Sequence, residues 1–139
     1  MKKIIFLLLL APLLFASDIK TEQKIYALII QAAVPQKTVI KVWCDDKEKK
    51  KFIDSIPNIK CISDAKKADF LLLSKKEDIQ SQGVKFVTNF KLLEEGKQHV
   101  IGGFFWQKGR PNILFLRKNL QKYHITLPPS MQSYIEEDL

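Results

Sequence analysis

The sequence contains no GxGxxG, no GxxxxGK[ST] and no GxSxG, so dinucleotide, P-loop and hydrolase-elbow mechanisms have no local support in it. Its two histidines, His99 and His124, stand alone in their segments, without the HxxxH or HxH spacing that sets two ligands on one side of a metal. No catalytic residue, metal or cofactor is therefore expected. Glycine is scarce at five residues, and neither a low-complexity tract nor an internal repeat is present. That excludes a disordered chain and a repeat array. The basic clusters also lack the interleaved aromatics of a stacking platform, which argues against nucleic acid.

What the chain does have begins at its N-terminus. Lys2 and Lys3 precede an unbroken apolar run from Ile4 to Phe15, followed by Ala16 and Ser17 and then polar sequence from Asp18. This is the three-part plan of a cleavable signal peptide, and the run is shorter than the roughly 20 residues that a spanning helix needs. Residues 1–17 are read as the leader and 18–139 as one exported domain, placed in the periplasm. No cysteine follows the run directly, so a lipid anchor is not indicated. The formal charge is +8, of which Lys2 and Lys3 supply two. An exported basic domain meets anionic membrane headgroups, cell-wall polymers or acidic protein surfaces; the plainer reading of its lysine runs is solvated helix faces and turns. Cys44 and Cys61 make an even count. In an oxidising compartment that favours one disulfide, the alternative being two buried thiols acting as small apolar residues.

Along the chain, Ile25, Leu28, Ile29, Ala32 and Ala33 recur at helical spacing and Pro35 ends the stripe, which predicts an amphipathic helix. Thr38 to Cys44 reads as a β-branched buried strand through Val39, Ile40 and Val42, and Asp45-Asp46 as the cap of a helix running Lys47 to Ile56, with Phe52, Ile53 and Ile56 inward. Ile59 to Ile62, a Ser63-Asp64 cap with one helical turn, and Phe70 to Ser74 repeat the pattern. Val84 to Thr88 is a fourth strand; Asn89 opens the helix Phe90 to Glu95 and Gly96 closes it. Strands alternating with helical segments predict parallel neighbours.

After Lys97 the pattern changes. Val100 to Gln107 and Asn112 to Arg117 flank Lys108-Gly109-Arg110-Pro111, which reads as an antiparallel hairpin. Phe104 and Trp106 are expected on one face and Ile101 and Phe105 on the other, with Ile113 and Phe115 opposing Leu114 and Leu116. Such arms need cover on both sides, from the layers of the domain or from another chain. Gly102-Gly103 fits either a bend or a close backbone approach. Short helices are expected at Asn119 to Tyr123 and Ser130 to Glu136. The fold class is thus α/β: a single three-layer domain, mostly parallel sheet, with a C-terminal antiparallel hairpin.

Two candidate sites emerge. Asp45, Asp46 and Asn89 follow strand ends, where open α/β sheets bind ligands, although an acid there is most often a helix cap. Phe104, Phe105 and Trp106 form an aromatic run of the kind that dominates interfaces; one of the three is expected to point outward.

The ordered set VWCDD (Val42 to Asp46), ADFLLLS (Ala68 to Ser74), KFVTN (Lys85 to Asn89), GGFFWQKGRPNILFLRKNLQKY (Gly102 to Tyr123) and ITLPPSMQSYI (Ile125 to Ile135) resembles the YfiR-like family of small periplasmic regulators. The resemblance implies a non-catalytic α/β domain that forms a homodimer. Its partner would be the periplasmic sensor part of an inner-membrane protein of the diguanylate cyclase type, held inactive until envelope or redox stress releases it. Phe104, Phe105, Trp106 and Arg110 are then the expected contact residues. The alternative is a periplasmic small-molecule binding protein using Asp45, Asp46 and Asn89.

Overall fold

The structure, a computed structural model, describes residues 20–76 and 78–139. The apolar leader lies outside the described residues. Helix α1 covers 20–33 and buries Tyr26, Ile29, Ile30 and Ala33, the i, i+3, i+4, i+7 set of one helical face. This corrects the expected stripe, since Leu28 is 59 % exposed. The helix is rotated so that Tyr26 faces the core, where its ring meets Phe52 at 5.9 Å and Phe104 edge-on at 5.2 Å.

Seven strands then build one sheet: β1 (Ile40–Cys44), β2 (Ile59–Cys61), β3 (Phe70–Leu73), β4 (Val84–Val87), β5 (Val100–Gln107), β6 (Arg110–Leu116) and β7 (Ile135–Glu136). Their order is β2-β1-β3-β4-β5-β6-β7. Neighbours are parallel throughout except β5 and β6, which form the antiparallel hairpin. Helix α2 (Lys47–Asp54) links β1 to β2, α3 (Phe90–Glu95) links β4 to β5, and α4 (Arg117–Lys122) follows β6. Two 3₁₀ turns, Ala65–Lys67 and Pro129–Tyr134, complete the set.

The period-2 alternation of the strands separates two apolar layers. Val42, Phe70, Leu72, Phe86, Phe104 and Phe115 pack under α1, α2 and the second 3₁₀ turn, with Ile53 and Met131 coming down on them. Leu71, Leu73, Val87, Val100, Phe105 and Leu116 pack on the opposite face, beneath α3 through Leu93 and beside Ala65 of the first 3₁₀ turn. The α/β class with a mostly parallel sheet and an antiparallel C-terminal hairpin is what the sequence predicts.

Four local expectations change. The first strand begins at Ile40, and Val39 is 51 % exposed, because Ile40 is the first residue to take a backbone partner, from Asn58. Ile101 joins the layer of Phe104 instead of opposing it. The cause is a bulge: Lys85 pairs with Val100 but Phe86 pairs with Gly102, leaving Ile101 as the extra residue. The hairpin loop is only Lys108-Gly109, both left-handed at φ 53° and 74°, which is the type I′ geometry that suits strand twist, so Arg110 and Pro111 belong to β6. Finally, the expected helix Ser130 to Glu136 is a 3₁₀ turn ending in β7, whose Ile135 pairs with Phe115.

Candidate functional site

The ends of the parallel strands bring Asp45, Asp46 and Asn89 to one edge of the sheet, as their positions imply, but each side chain is committed to the backbone. Asp45 accepts from Ser74 N at 2.8 and 3.0 Å and from Lys75 N at 2.9 Å, tying the loop after β3 to the end of β1. Asp46 caps α2 by accepting from the N–H groups of Glu48 and Lys49. Asn89 caps α3 through Leu92 N and donates to Ser74 O. Thr88 Oγ1 donates to Ser74 Oγ at 2.9 Å. This polar seam ties the strand ends to one another and engages its carboxylates with backbone N–H groups.

Beside the seam, Cys44 and Cys61 come together from the neighbouring strands β1 and β2. They are held as two free thiols, not as the expected disulfide. Cys61 Sγ donates to Lys50 O at 3.5 Å, and the neighbouring Cys61 thiol together with burial pushes Cys44 well above the ordinary thiol range.

An open cleft of about 480 Å³ lies at the opposite end of the sheet, between the end of α1, the starts of β3 and β4, and Tyr123-His124. Its carboxylate, Asp69, accepts from Lys41 N at 2.9 Å and stands 4.0 Å from Lys37 Nζ. His124 closes α4 in a left-handed conformation, φ 57°, with His124 N bonded to Gln121 O and Ile125 N to Leu120 O, the double bond of a Schellman stop. Among the described residues no three His, Cys, Asp or Glu side chains converge on a metal-sized site.

The hairpin is different. β4 ends at Val87, opposite Gly103, so Phe104 to Gln107 continue upward with only β6 beside them. On the far side, β7 pairs with Phe115 and Leu116 alone, and Arg110 to Leu114 have an open outer edge. Among the described residues the result is a two-stranded ribbon with no further strand on either side. Phe104 and Phe105 are buried, at 2 % and 7 % exposure, while Trp106 is 45 % exposed; of the aromatic trio, one points outward, as expected. Arg110 stands opposite Gln107 and Pro111 opposite Trp106. The Gln107–Arg110 pair closes a two-residue loop and is hydrogen-bonded, so alternate residues Pro111 and Ile113 direct their nitrogen side outward. Pro111 has no N–H, and the edge is blunted against a continuous added strand.

Sequence reasoning missed two members of this end of the molecule. Phe90 reads as the first residue of a helix, yet it is 40 % exposed, its ring set against Phe105 at 5.6 Å. Lys108 reads as a turn residue. The signal for both is position: Lys108 directly follows the end of β5, and Phe90 comes three residues after the end of β4. Among the described residues no helix is long and apolar enough to cross a membrane. Comparison with family models, curated proteins and solved structures returns no match, so the YfiR-like resemblance is carried by its motifs alone.

Proposed function

We propose that the chain is an exported regulator without catalysis of its own, acting by protein contact through the β5–β6 ribbon. The partner that the motif resemblance suggests is the periplasmic sensor part of an inner-membrane signalling protein of the diguanylate cyclase type, which the bound regulator holds inactive. The observation that supports this reading is the ribbon itself. It outruns its neighbours on both sides and carries an exposed tryptophan on one face and a guanidinium on the other, residue types enriched at the centres of binding surfaces. Because Pro111 blunts the edge, side chains and not strand addition make the contact, with Trp106 and Arg110 foremost. Phe104 and Phe105, also expected as contacts, are buried: Phe104 packs against Trp106 and Phe105 against Phe90.

The small-molecule alternative loses ground, because Asp45, Asp46 and Asn89 are already engaged with backbone groups. Titration of the purified protein against the periplasmic domain of such a cyclase tests the proposal. Binding at tens of micromolar or tighter, weakened at least about tenfold by Trp106→Ala, is the expected result. Absence of binding, or binding indifferent to Trp106 and Arg110, removes the reading.

A further inference from the structure

β1, β3, β4 and β5 run in one direction, so the residues following them share one end of the sheet. Two aromatic side chains that the fold leaves exposed stand at that end, Trp106 at 45 % and Phe90 at 40 %. Neither is loose: Trp106 packs edge-on against Phe104 at 6.3 Å and Phe90 against Phe105 at 5.6 Å. Phe104 and Phe105 belong to opposite layers, so the two exposed rings straddle β5, one from each face of the sheet. A protein seated on either face would meet one ring. A surface laid across the ends of the strands meets both.

The exposed charge around the two rings is cationic. Lys91, Lys108 and Arg110 are exposed, and among the described residues none has a carboxylate within ion-pair distance. Segments 88–91 and 104–112 contain no acidic residue, and the carboxylates after β1, Asp45 and Asp46, are turned onto backbone N–H groups. β3 to β6 span three strand spacings, about 15 Å, so the cations and rings fit a single flat contact. Tryptophan is the side chain that best suits the headgroup level of a bilayer, with an apolar body and a polar N–H.

We propose that this end of the molecule docks on an anionic phospholipid surface, with Trp106 and Phe90 at headgroup depth and Lys91, Lys108 and Arg110 over the phosphates. Each cation near an anionic leaflet raises affinity about fivefold at low salt. The inference stands apart from the regulator reading, because a bilayer without protein suffices to test it.

The test uses the protein recovered after export, in a Trp43→Phe background so that Trp106 is the remaining tryptophan. Vesicles of phosphatidylglycerol with phosphatidylethanolamine are expected to shift its emission to the blue and to sediment with it, less so as salt is raised, whereas phosphatidylcholine vesicles do neither. Sedimentation by Lys108→Glu/Arg110→Glu falls at least about tenfold, and Phe90→Ala/Trp106→Ala falls similarly, with near-ultraviolet circular dichroism confirming the fold of the charge variant. Parent and variants share one N-terminus, so the difference reads this end alone. Equal sedimentation with neutral and anionic vesicles, an unshifted emission, free phosphate competing as well as vesicles do, or variants that bind like the parent would each overturn the proposal. A protein that binds vesicles and no sensor domain keeps this inference and loses the regulator reading; the reverse result does the opposite.

Discussion

The two halves of the sheet use the same residue types for opposite ends. In the parallel half, β1 to β4 are four or five residues long, apart from the three-residue edge strand β2, and the side chains at their carboxyl ends are knotted together through Asp45, Ser74, Thr88 and Asn89. In the antiparallel half, β5 and β6 run eight and seven residues and continue past the last neighbour on each flank. Polar groups in the first half satisfy backbone donors that the short strands and helix starts would otherwise leave open. The second half closes its own ladder through the hairpin and needs no such repair, so its end residues are free to carry Trp106, Lys108 and Arg110 outward. A parallel strand end is a ligand site only when its polar residues remain uncommitted; here the binding capacity has moved to the ribbon.

The strongest way to break this contrast is to prevent the ribbon from closing. A Cβ at Gly102 would lie 2.1 Å from Leu114 O and 3.0 Å from Phe115 Cα, and neither backbone atom can move without parting β5 from β6. Gly102→Ala is expected to destabilise by more than about 3 kcal/mol, as an overpacked core site with no relaxation route. At Gly109, φ 74° with nothing near the added carbon, alanine should cost only about 1 kcal/mol, from conformation alone. Equal effects in urea titrations of the two variants would show that the close approach is not what holds the ribbon.

On the parallel side, Asp45→Ala removes the acceptor of Ser74 N and Lys75 N, leaving donors with no partner in a half-buried seam. A loss of about 1–3 kcal/mol is expected, against about 1 kcal/mol for Asp46→Ala, a single helix cap. If Asp45 serves a ligand and not the seam, the alanine variant instead gains stability, since a carboxylate held for binding is a burden on the empty protein. A denaturation midpoint that rises would reverse the reading of the strand ends.

Much of this was legible in the sequence, for definite reasons. The strands and caps announce themselves because β-branched runs bounded by Asp and Asn have one structural use, and the hairpin because a Lys-Gly loop separates two runs apolar on both parities. What escaped notice depends on partners distant in sequence. Tyr26 counts as a boundary residue in a hydropathy stripe, so the helix face was set on Leu28, and only Phe52 and Phe104 make the tyrosine the inward residue. The bulge at Ile101 is a register event between β4 and β5 and has no signature beyond the Gly102-Gly103 pair. β7 was hidden because two residues suffice for it once Phe115 is there to receive Ile135. Of the site, strand-end position correctly gathered Asp45, Asp46 and Asn89, and Asp46 and Asn89 cap their own helices locally, while Asp45 is engaged by Ser74 and Lys75, about thirty residues away.

The smallest of these effects concerns Tyr26, which joins the two halves by packing against Phe52 of α2 and Phe104 at the root of the ribbon. Its ring is 1 % exposed, and burial first, then the charge of Glu22, pushes its phenol far above the ordinary value of 10.0. The folded protein therefore keeps this proton where the unfolded chain gives it up. Stability from this group is fully present below about pH 10 and declines above it, by up to about 1.4 kcal/mol per pH unit. Tyr26→Phe keeps the ring and abolishes the titration, so parent and variant should be close in urea midpoint at about pH 8 and diverge toward about pH 11, the parent falling faster. The other ionisable groups are common to both proteins, so the difference reads the phenol. A parent that loses no more than the variant would mean that the phenol reaches water in the folded state, and that the joint between the parallel sheet and the ribbon is more open than its packing shows.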